Sequence, residues 1–331
     1  MKFLFLAIGV YFSLHNLNAQ DKVPEGLIRL GNGSYFSDFA VVVDKTSRTT
    51  SVWKNENNRI VKIRDYVSDQ GSASGDKILE GDKKTPEGVY FFNKIIEGKN
   101  LYFPKYGKRA YTTNYPNFFD RKEGKTGYGI WLHGIPDETS LTRGSEGCVV
   151  IRNDAVMEVG DFIELGKTPI VINPGDSLVP RKKHSEIQSK YVKLLQAWRK
   201  AWSTKDIDSY ISHYSESFTS KGMNKTQWKK YKDFLNKKYK TIFVEFSDPI
   251  ILKQNGQTVV RTIQHYRSDI INDYGEKTIY LEEVDGAPKI VAEFWKRVDH
   301  ATAKSEILAG TILRAENLLM PETNEISSNN P

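Results

Sequence analysis

The sequence predicts two domains in series, a mostly-β domain followed by an α+β domain, and three observations carry that reading. Its 331 residues are about twice the length of a common domain of roughly 150 residues. From Phe39 to Ile172 short β-rich runs alternate with Gly and Pro, the texture of many short strands joined by turns. Beyond a Pro/Gly and charge-rich boundary at 173–183, amphipathic helices come first and an antiparallel meander follows, the order of an α+β domain. With 39% hydrophobic and 27% charged residues the chain is neither disordered, collagen-like nor a polytopic membrane protein. Its net charge of +7 is mild and spread out, which implies attraction to anionic surfaces rather than a reader of nucleic acid.

The first element is an address. Residues 1–20 read MKFLFLAIGVYFSLHNLNAQ, with Lys2 before an apolar run and a polar stretch ending at Ala19, so 1–19 is expected to be a secretory signal peptide. The run of about 12 apolar residues is too short for a bilayer core that needs about 20. Export to the periplasm without a transmembrane anchor is the expectation. In that compartment the single cysteine, Cys148, excludes an intrachain disulfide and a Cys-rich zinc site, and needs a reason to persist.

In the first domain strands are expected at 39–44, 49–53, 88–92, 129–132, 148–151 and 169–172, where apolar and β-branched residues cluster between turn residues. A short helix is expected from Asn153, with the Asn-Asp pair as its N-cap. In the second domain 187–200 has helical spacing, placing Tyr191, Leu194, Leu195, Trp198 and Trp202 on one face. Residues 208–218 and 226–239 read as further helices. Strands follow at 241–246, 257–268, 277–284 and 289–296, with Asn255-Gly256 and Asp285-Gly286 as hairpin turns. One helix over about 305–319 and a polar tail make up 299–331.

The chemistry concentrates in Tyr128-Gly-Ile-Trp-Leu-His133-Gly134 and Arg143-Gly-Ser145-Glu-Gly147-Cys148. His133 ends one apolar run and Cys148 opens another, so their side chains can converge at the rim of a sheet. A cysteine nucleophile needs a base in hydrogen-bond reach, and a nearby imidazole lowers a thiol from about 8.5 toward neutrality. Gly147 lets backbone approach closely, so that neighbouring N–H groups can receive a developing oxyanion. Taken alone, a His and a Cys 15 residues apart also fit chance, an inert buried cysteine or a fragment of a zinc site; no further Cys or clustered His supports the last. No metal is expected.

The stretch resembles the L,D-transpeptidase (YkuD) catalytic domain. That family's signature of His-Gly, a variable loop and Ser-x-Gly-Cys is matched by His133-Gly134 and Ser145-Glu146-Gly147-Cys148. Its Lys-Thr-Pro-x-Gly-x-Tyr/Phe element is matched by Lys84-Thr85-Pro86-Glu87-Gly88-Val89-Tyr90. The resemblance covers about residues 36–173. It implies a β-sandwich-like fold, Cys148 as nucleophile, His133 as general base and the Gly134 carbonyl as the partner that orients the imidazole, with Gly147 and Ser145 supporting the oxyanion turn. Tyr128, Trp131, Arg143 and Arg152 are the candidate substrate-binding residues. Two departures stand out: Glu146 replaces the usual His or Arg, and Val150 the usual Arg, for which Arg143 and Arg152 are the candidate substitutes. The implied reaction is attack of Cys148 on the meso-diaminopimelate carbonyl of a peptidoglycan tetrapeptide stem, with release of the terminal D-Ala. Water would then give L,D-carboxypeptidase activity and an amine L,D-transpeptidation, with no cofactor in either case.

Residues 184–298 resemble a nuclear-transport-factor-2-like module, carried by Trp198, Trp202, Tyr210, Tyr214, Phe218, Trp228 and the strands around Tyr266 and Trp295. The resemblance implies a cone of curved sheet wrapped by helices. The pairing of the two modules is similar to that of periplasmic L,D-carboxypeptidases that trim tetrapeptides to tripeptides and set cell shape, which favours carboxypeptidase over transpeptidase. A non-catalytic wall-binding protein is the rival of another class. Tyr266, Tyr280 and Trp295 are expected either to line a pocket in the cone for a glycan or peptide or to be core. Residues 221–240 carry eight lysines against one acid, Asp233, which reads as a solvated cationic face or as a contact with acidic wall polymer. The expected partners are peptidoglycan stem peptides, and the sacculus through the second domain.

Overall fold

The computed structural model describes residues 22–175, 177–310 and 313. The expected signal peptide, and the part of the expected last helix beyond 310 other than residue 313, lie outside the described residues. Among the described residues β1 (Lys22–Pro24) comes first, and the first domain is then built from β2 (Phe39–Asp44), β3 (Thr49–Glu56), β4 (Arg59–Val67), β5 (Gly88–Glu97), β6 (Arg109–Thr113), β7 (Trp131–His133), β8 (Val149–Val150) and β9 (Pro169–Asn173). Three short helices are interleaved, α1 (Phe103–Tyr106), α2 (Phe118–Lys122) and α3 (Asn153–Val159).

These eight strands form one sheet in the order β4-β3-β2-β9-β5-β6-β7-β8. The register of β5 on β6 shifts between Phe92 and Lys94, and such an irregularity bends a strand. Both halves of the sheet consequently feed one core. Val41, Val43, Tyr90 and Ile170 from one half meet Tyr111, Leu132 and Val149 from the other, with Val156 and Val159 of α3 closing it. This is the sandwich-like arrangement. The helix at 153 forms, but Asn153 is its first residue rather than its cap. Its side-chain oxygen instead accepts from the Lys108 N–H at 2.8 Å, supplying a backbone donor with the partner that burial demands.

The second domain follows β10 (Leu178–Pro180), which pairs antiparallel with β1. It contains α4 (Arg181–Ser203), α5 (Ile207–Ser212), β11 (Thr219–Ser220), β12 (Met223–Asn224), α6 (Lys225–Lys238), β13 (Ile242–Phe246), β14 (Ile250–Gln254), β15 (Gln257–Ser268), β16 (Asn272–Val284), β17 (Ala287–Arg297) and α7 (His300–Ala309). β13 and β14 both pair with the long β15, which leads through β16 to β17. Asn255, Gly256, Asp285 and Gly286 all have positive φ, as two-residue turns matching the strand twist require. The helix expected to run to 218 stops at Ser212, because the edge of β17 takes the chain that follows. Ile290 N–H donates to His213 O at 2.8 Å and Ser215 N–H to Ile290 O at 2.9 Å. Trp198, Trp202, Tyr210, Tyr214 and Phe218 pack with Val244, Val260 and Ile279 inside the cone.

The two domains share a core. Ala40 and Val42 alternate with Val41 and Val43 along β2 and point to its other face. There, with Trp53 and Phe91, they meet Ile250, Leu252, Val259 and Ile263 of the second sheet and Ile307 of α7. Burial on both faces explains why β2 reads as an unbroken apolar run rather than an alternating one. Arg261 crosses the junction, donating to Gly166 O at 2.8 Å and to Glu276 at 2.6 Å.

Candidate active site

His133 is the last residue of β7, and Cys148 immediately precedes β8, which runs parallel to β7 with Leu132 opposite Val149. Both side chains line one cleft of about 800 Å³. The turn before Cys148 is fastened independently of its sulfur. Ser145 Oγ donates to the Cys148 carbonyl at 2.7 Å and accepts from the Gly147 N–H at 3.0 Å. Gly147 has a φ of 124°, and a Cβ there would lie 2.7 Å from the Lys84 carbonyl oxygen. Its amide is thus committed to Ser145, and the glycine serves the turn through conformation and close approach.

The Lys-Thr-Pro element is the strap behind this turn. Thr85, fully buried, donates from Oγ1 to the Gly147 carbonyl at 2.9 Å and accepts from the Gly71 N–H at 2.8 Å. Lys45 holds the strap through the Thr85 carbonyl at 2.9 Å and the Glu87 carboxylate at 2.8 Å. Asp69, buried, accepts from the Gly144 N–H at 2.7 Å and pairs with Arg48. Thr85 is marked by its motif; Lys45 and Asp69 act across long sequence separations and leave no local signal.

Nδ1 of His133 lies 2.6 Å from the Gly134 carbonyl oxygen. A carbonyl only accepts, so Nδ1 carries the proton and Nε2 keeps its lone pair. The Tyr106 ring packs on the imidazole at 5.1 Å, edge to face; this residue has no signal in the sequence. Burial pushes His133 down to about 4, against the opposing effect of the Gly134 carbonyl. Burial also pushes the Cys148 thiol up to about 11, opposite in direction to the lowering expected beside an imidazole. Both shifts favour a thiol and a neutral imidazole in the resting cleft.

Tyr128 and Arg143 line the cleft, Tyr128 exposed between Gly127 and Gly129, both at positive φ. Two other candidates are corrected. Trp131 is not on the cleft wall but packs behind it on Tyr106, ring centres 4.9 Å apart. Arg152 turns to the loop, donating to the Thr139 carbonyl at 2.8 Å and to those of Pro136 and Asp137 at 3.4 Å, so it fixes 136–139 rather than facing substrate. Lys77, Lys83 and Lys105, with Glu80 and Glu146, complete the charged lining.

The cone holds a second cavity of about 260 Å³, lined by Tyr266 and Trp295 together with Trp202, Trp228, Lys232 and Lys277. Tyr280 is corrected: it pairs with Val259 on the opposite face of the sheet and packs against Phe118 and Phe119 of the first domain, at 4.6 and 5.3 Å. The basic helix is not purely a solvated face either. Lys232 is buried with its ammonium 3.9 Å from the Trp202 ring, a cation–π placement, and burial lowers it to about 7. Lys277 pairs with Glu293, whose other oxygen accepts from Tyr214 at 3.0 Å. Among the described residues no group of three or more His, Cys, Asp or Glu is placed to hold a metal ion, and no helix is long and apolar enough to cross a membrane.

Comparison with known proteins matches the model of the L,D-transpeptidase catalytic domain (YkuD) to residues 38–172 and that of the Cds6 C-terminal NTF2-like domain to residues 190–294. Among solved structures the chain is similar to Bd1075 of Bdellovibrio bacteriovorus, at 40% identity over 85% of this chain and 100% of that one, with a TM-score of 0.79. It is also similar to the helical cell shape determining protein Pgp2 of Campylobacter jejuni, at 27% identity over 81% of this chain and 95% of that one, TM-score 0.65. No curated protein sequence matches it.

Proposed function

The chain belongs to the L,D-transpeptidase (YkuD) family in the form that carries a C-terminal NTF2-like domain, and from that premise we propose that it is a peptidoglycan L,D-carboxypeptidase. It removes the terminal D-Ala from tetrapeptide stems, leaves tripeptides and so modifies cell shape. The observation that carries this reading is the joining of a cysteine–histidine cleft to an NTF2-like domain through one core. That domain pairing is supported as a shape-modifying one by similarity along nearly all of a cell shape determining protein. A leader over 1–19 would deliver the enzyme to the periplasm, where the stems are.

The chemistry uses the neutral couple. As the Cys148 sulfur bonds to the diaminopimelate carbonyl carbon, its proton passes to His133 Nε2, and the Nδ1–H bond to Gly134 O stabilises the imidazolium. The tetrahedral intermediate collapses to a thioester, the C–N bond breaks, and the departing D-Ala amine takes the proton from His133. Water then adds to the thioester, giving His133 a proton that returns to the Cys148 sulfur as the tripeptide carboxylate leaves. Digesting purified peptidoglycan with the full protein, read by mass spectrometry, should convert tetrapeptide monomers to tripeptides with loss of D-Ala. New 3–3 linked dimers or D-amino-acid exchange would move the assignment to transpeptidase, and unchanged muropeptides would favour a wall-binding protein.

The cone cavity fits a glycan or peptide fragment, with aromatic walls and a few polar groups. Tyr266, half-buried at 5.8 Å from Trp202, is proposed to contact it. Tyr266→Ala should reduce the protein pelleted with intact sacculi while turnover on soluble tetrapeptide stays the same. Pelleting equal to that of the parent would return Tyr266 to the core.

A further inference from the structure

The nucleophile turn and the helix beside the base are tied by an ion pair. Lys105 of α1 donates to Glu146 at 2.7 Å. The two residues lie 41 apart in sequence, and both line the cleft. Glu146 is two residues before Cys148, and Tyr106, next to Lys105, is the ring packed on His133. The Lys105 ammonium also sits 5.4 Å from that ring. Lys105 and Glu146 are near enough to the thiol to pull it in opposite directions, Lys105 toward the thiolate and Glu146 against it.

The pair is built to exchange. Lys105 is 46% and Glu146 73% exposed, and an ion pair in solvent is worth only about 0–1 kcal/mol. A competing carboxylate therefore meets little resistance. The reaction proposed above, on which this inference rests, demands such a competitor. The terminal D-Ala is a single residue, so its carboxylate lies within about 3.8 Å of chain, one Cα spacing, of the attacked bond. A cation that receives it must stand beside Cys148. The other cleft cations are differently placed: Lys77 is bound to Asp82 at 2.7 Å and to the Leu79 carbonyl at 3.0 Å. Lys83 and Arg143 hold no carboxylate among the described residues. Among these cations only Lys105 grips a carboxylate that itself lines the cleft.

We infer that Lys105 is the docking cation for the terminal carboxylate of the stem peptide, and that Glu146 occupies it in the free enzyme as an internal stand-in for that carboxylate. Binding swaps one carboxylate for the other on the same ammonium. Departure of D-Ala takes its carboxylate away, and Glu146 returns, which assists product release. The acidic residue in the position where the family usually carries His or Arg thereby sets how readily the dock is vacated.

The test measures affinity in the Cys148→Ala background by calorimetry, using a disaccharide tetrapeptide as free acid and as C-terminal amide, alongside turnover by the Cys148 forms. For the free acid, Lys105→Met should weaken binding about tenfold, the scale of a lost charge-assisted hydrogen bond. Lys105→Arg should restore most of it, and Glu146→Gln should tighten binding several-fold by removing the competitor. For the amide all of these affinities should coincide with that of the parent. Equal effects on acid and amide, or no effect on the acid, overturns the docking role even if D-Ala is released normally. The expected affinity pattern without any turnover upholds the dock and overturns the carboxypeptidase reading instead.

Discussion

Replacing Cys148 by alanine is expected to abolish D-Ala release while leaving the fold in place. The reason lies in how the turn is held. Ser145 grips the backbone carbonyl of Cys148 and the amide of Gly147, and Thr85 grips the Gly147 carbonyl. The sulfur itself makes a long contact, 3.5 Å to the Gly129 carbonyl, and a hydrogen bond with the Trp131 backbone. Cys148 is partly buried, so its truncation costs about 1 kcal/mol, the common scale of a single substitution, against complete loss of the covalent route. Product analysis by mass spectrometry and a thermal melt of the same sample check both halves. Residual release of D-Ala by a well-folded Cys148→Ala protein would mean that the nucleophile lies elsewhere.

The second large effect belongs to His133. His133→Asn retains a donor at the δ position for the Gly134 carbonyl but cannot take the thiol proton, so kcat should fall about 10²–10⁴-fold, the range of a lost general base, with KM nearly unchanged. The same imidazole is expected to set the acid limit of turnover. Because burial lowers His133 from 6.5 to about 4, the neutral base persists through mildly acidic pH, and kcat/KM should fall only as pH drops through about 4. The stability sign follows from the same shift. Between pH 6.5 and about 4 the unfolded chain binds a proton that the folded chain refuses. The fold is therefore progressively weakened over that window, by about 3 kcal/mol at its acid end, and His133→Asn should flatten this part of the Tm–pH curve. An acid limb centred near 6.5, together with an unaltered Tm–pH curve in the variant, would show that the imidazole is not desolvated.

The parts of the fold legible in the sequence are those written in local periodicity or turn chemistry. The strand expected at 257–268 is found over Gln257–Ser268, because its alternation is bounded by Asn255-Gly256 at one end. The buried face of α4 contains Tyr191, Leu195, Trp198 and Trp202 as the spacing predicts, with Leu194 only partly buried. What the sequence conceals depends on partners far along the chain. β14 is five residues with no alternation of its own and is defined by its pairing with β15. Residues 27–30 carry no periodic signal, yet they are buried between the domains, where Arg29 bonds Asp248 at 2.8 Å and bridges to Ile251. In the site, Cys148, His133 and the strap element are marked by glycine and motif spacing. Arg152 looks available because charge count does not show that loop carbonyls will claim a guanidinium. Tyr280 is misplaced because an aromatic in a strand does not declare its face. Period two from Lys277 and Ile279, which face the cone, puts position 280 on the other side.

The apolar layer shared by the two sheets has a mechanical meaning. Cutting the chain near 176 would bare Val42, Trp53 and Phe91 on one side and Ile250, Leu252 and Val259 on the other, while parting β1 from β10. Neither half is a free module on a tether. The molecule is a caliper with one jaw at Cys148 and the other at the mouth of the cone, its opening fixed by packed side chains rather than by a linker. If the cone grips wall polymer, as proposed for Tyr266, the packed junction holds Cys148 at a constant offset from the point of grip, a built-in ruler along the wall.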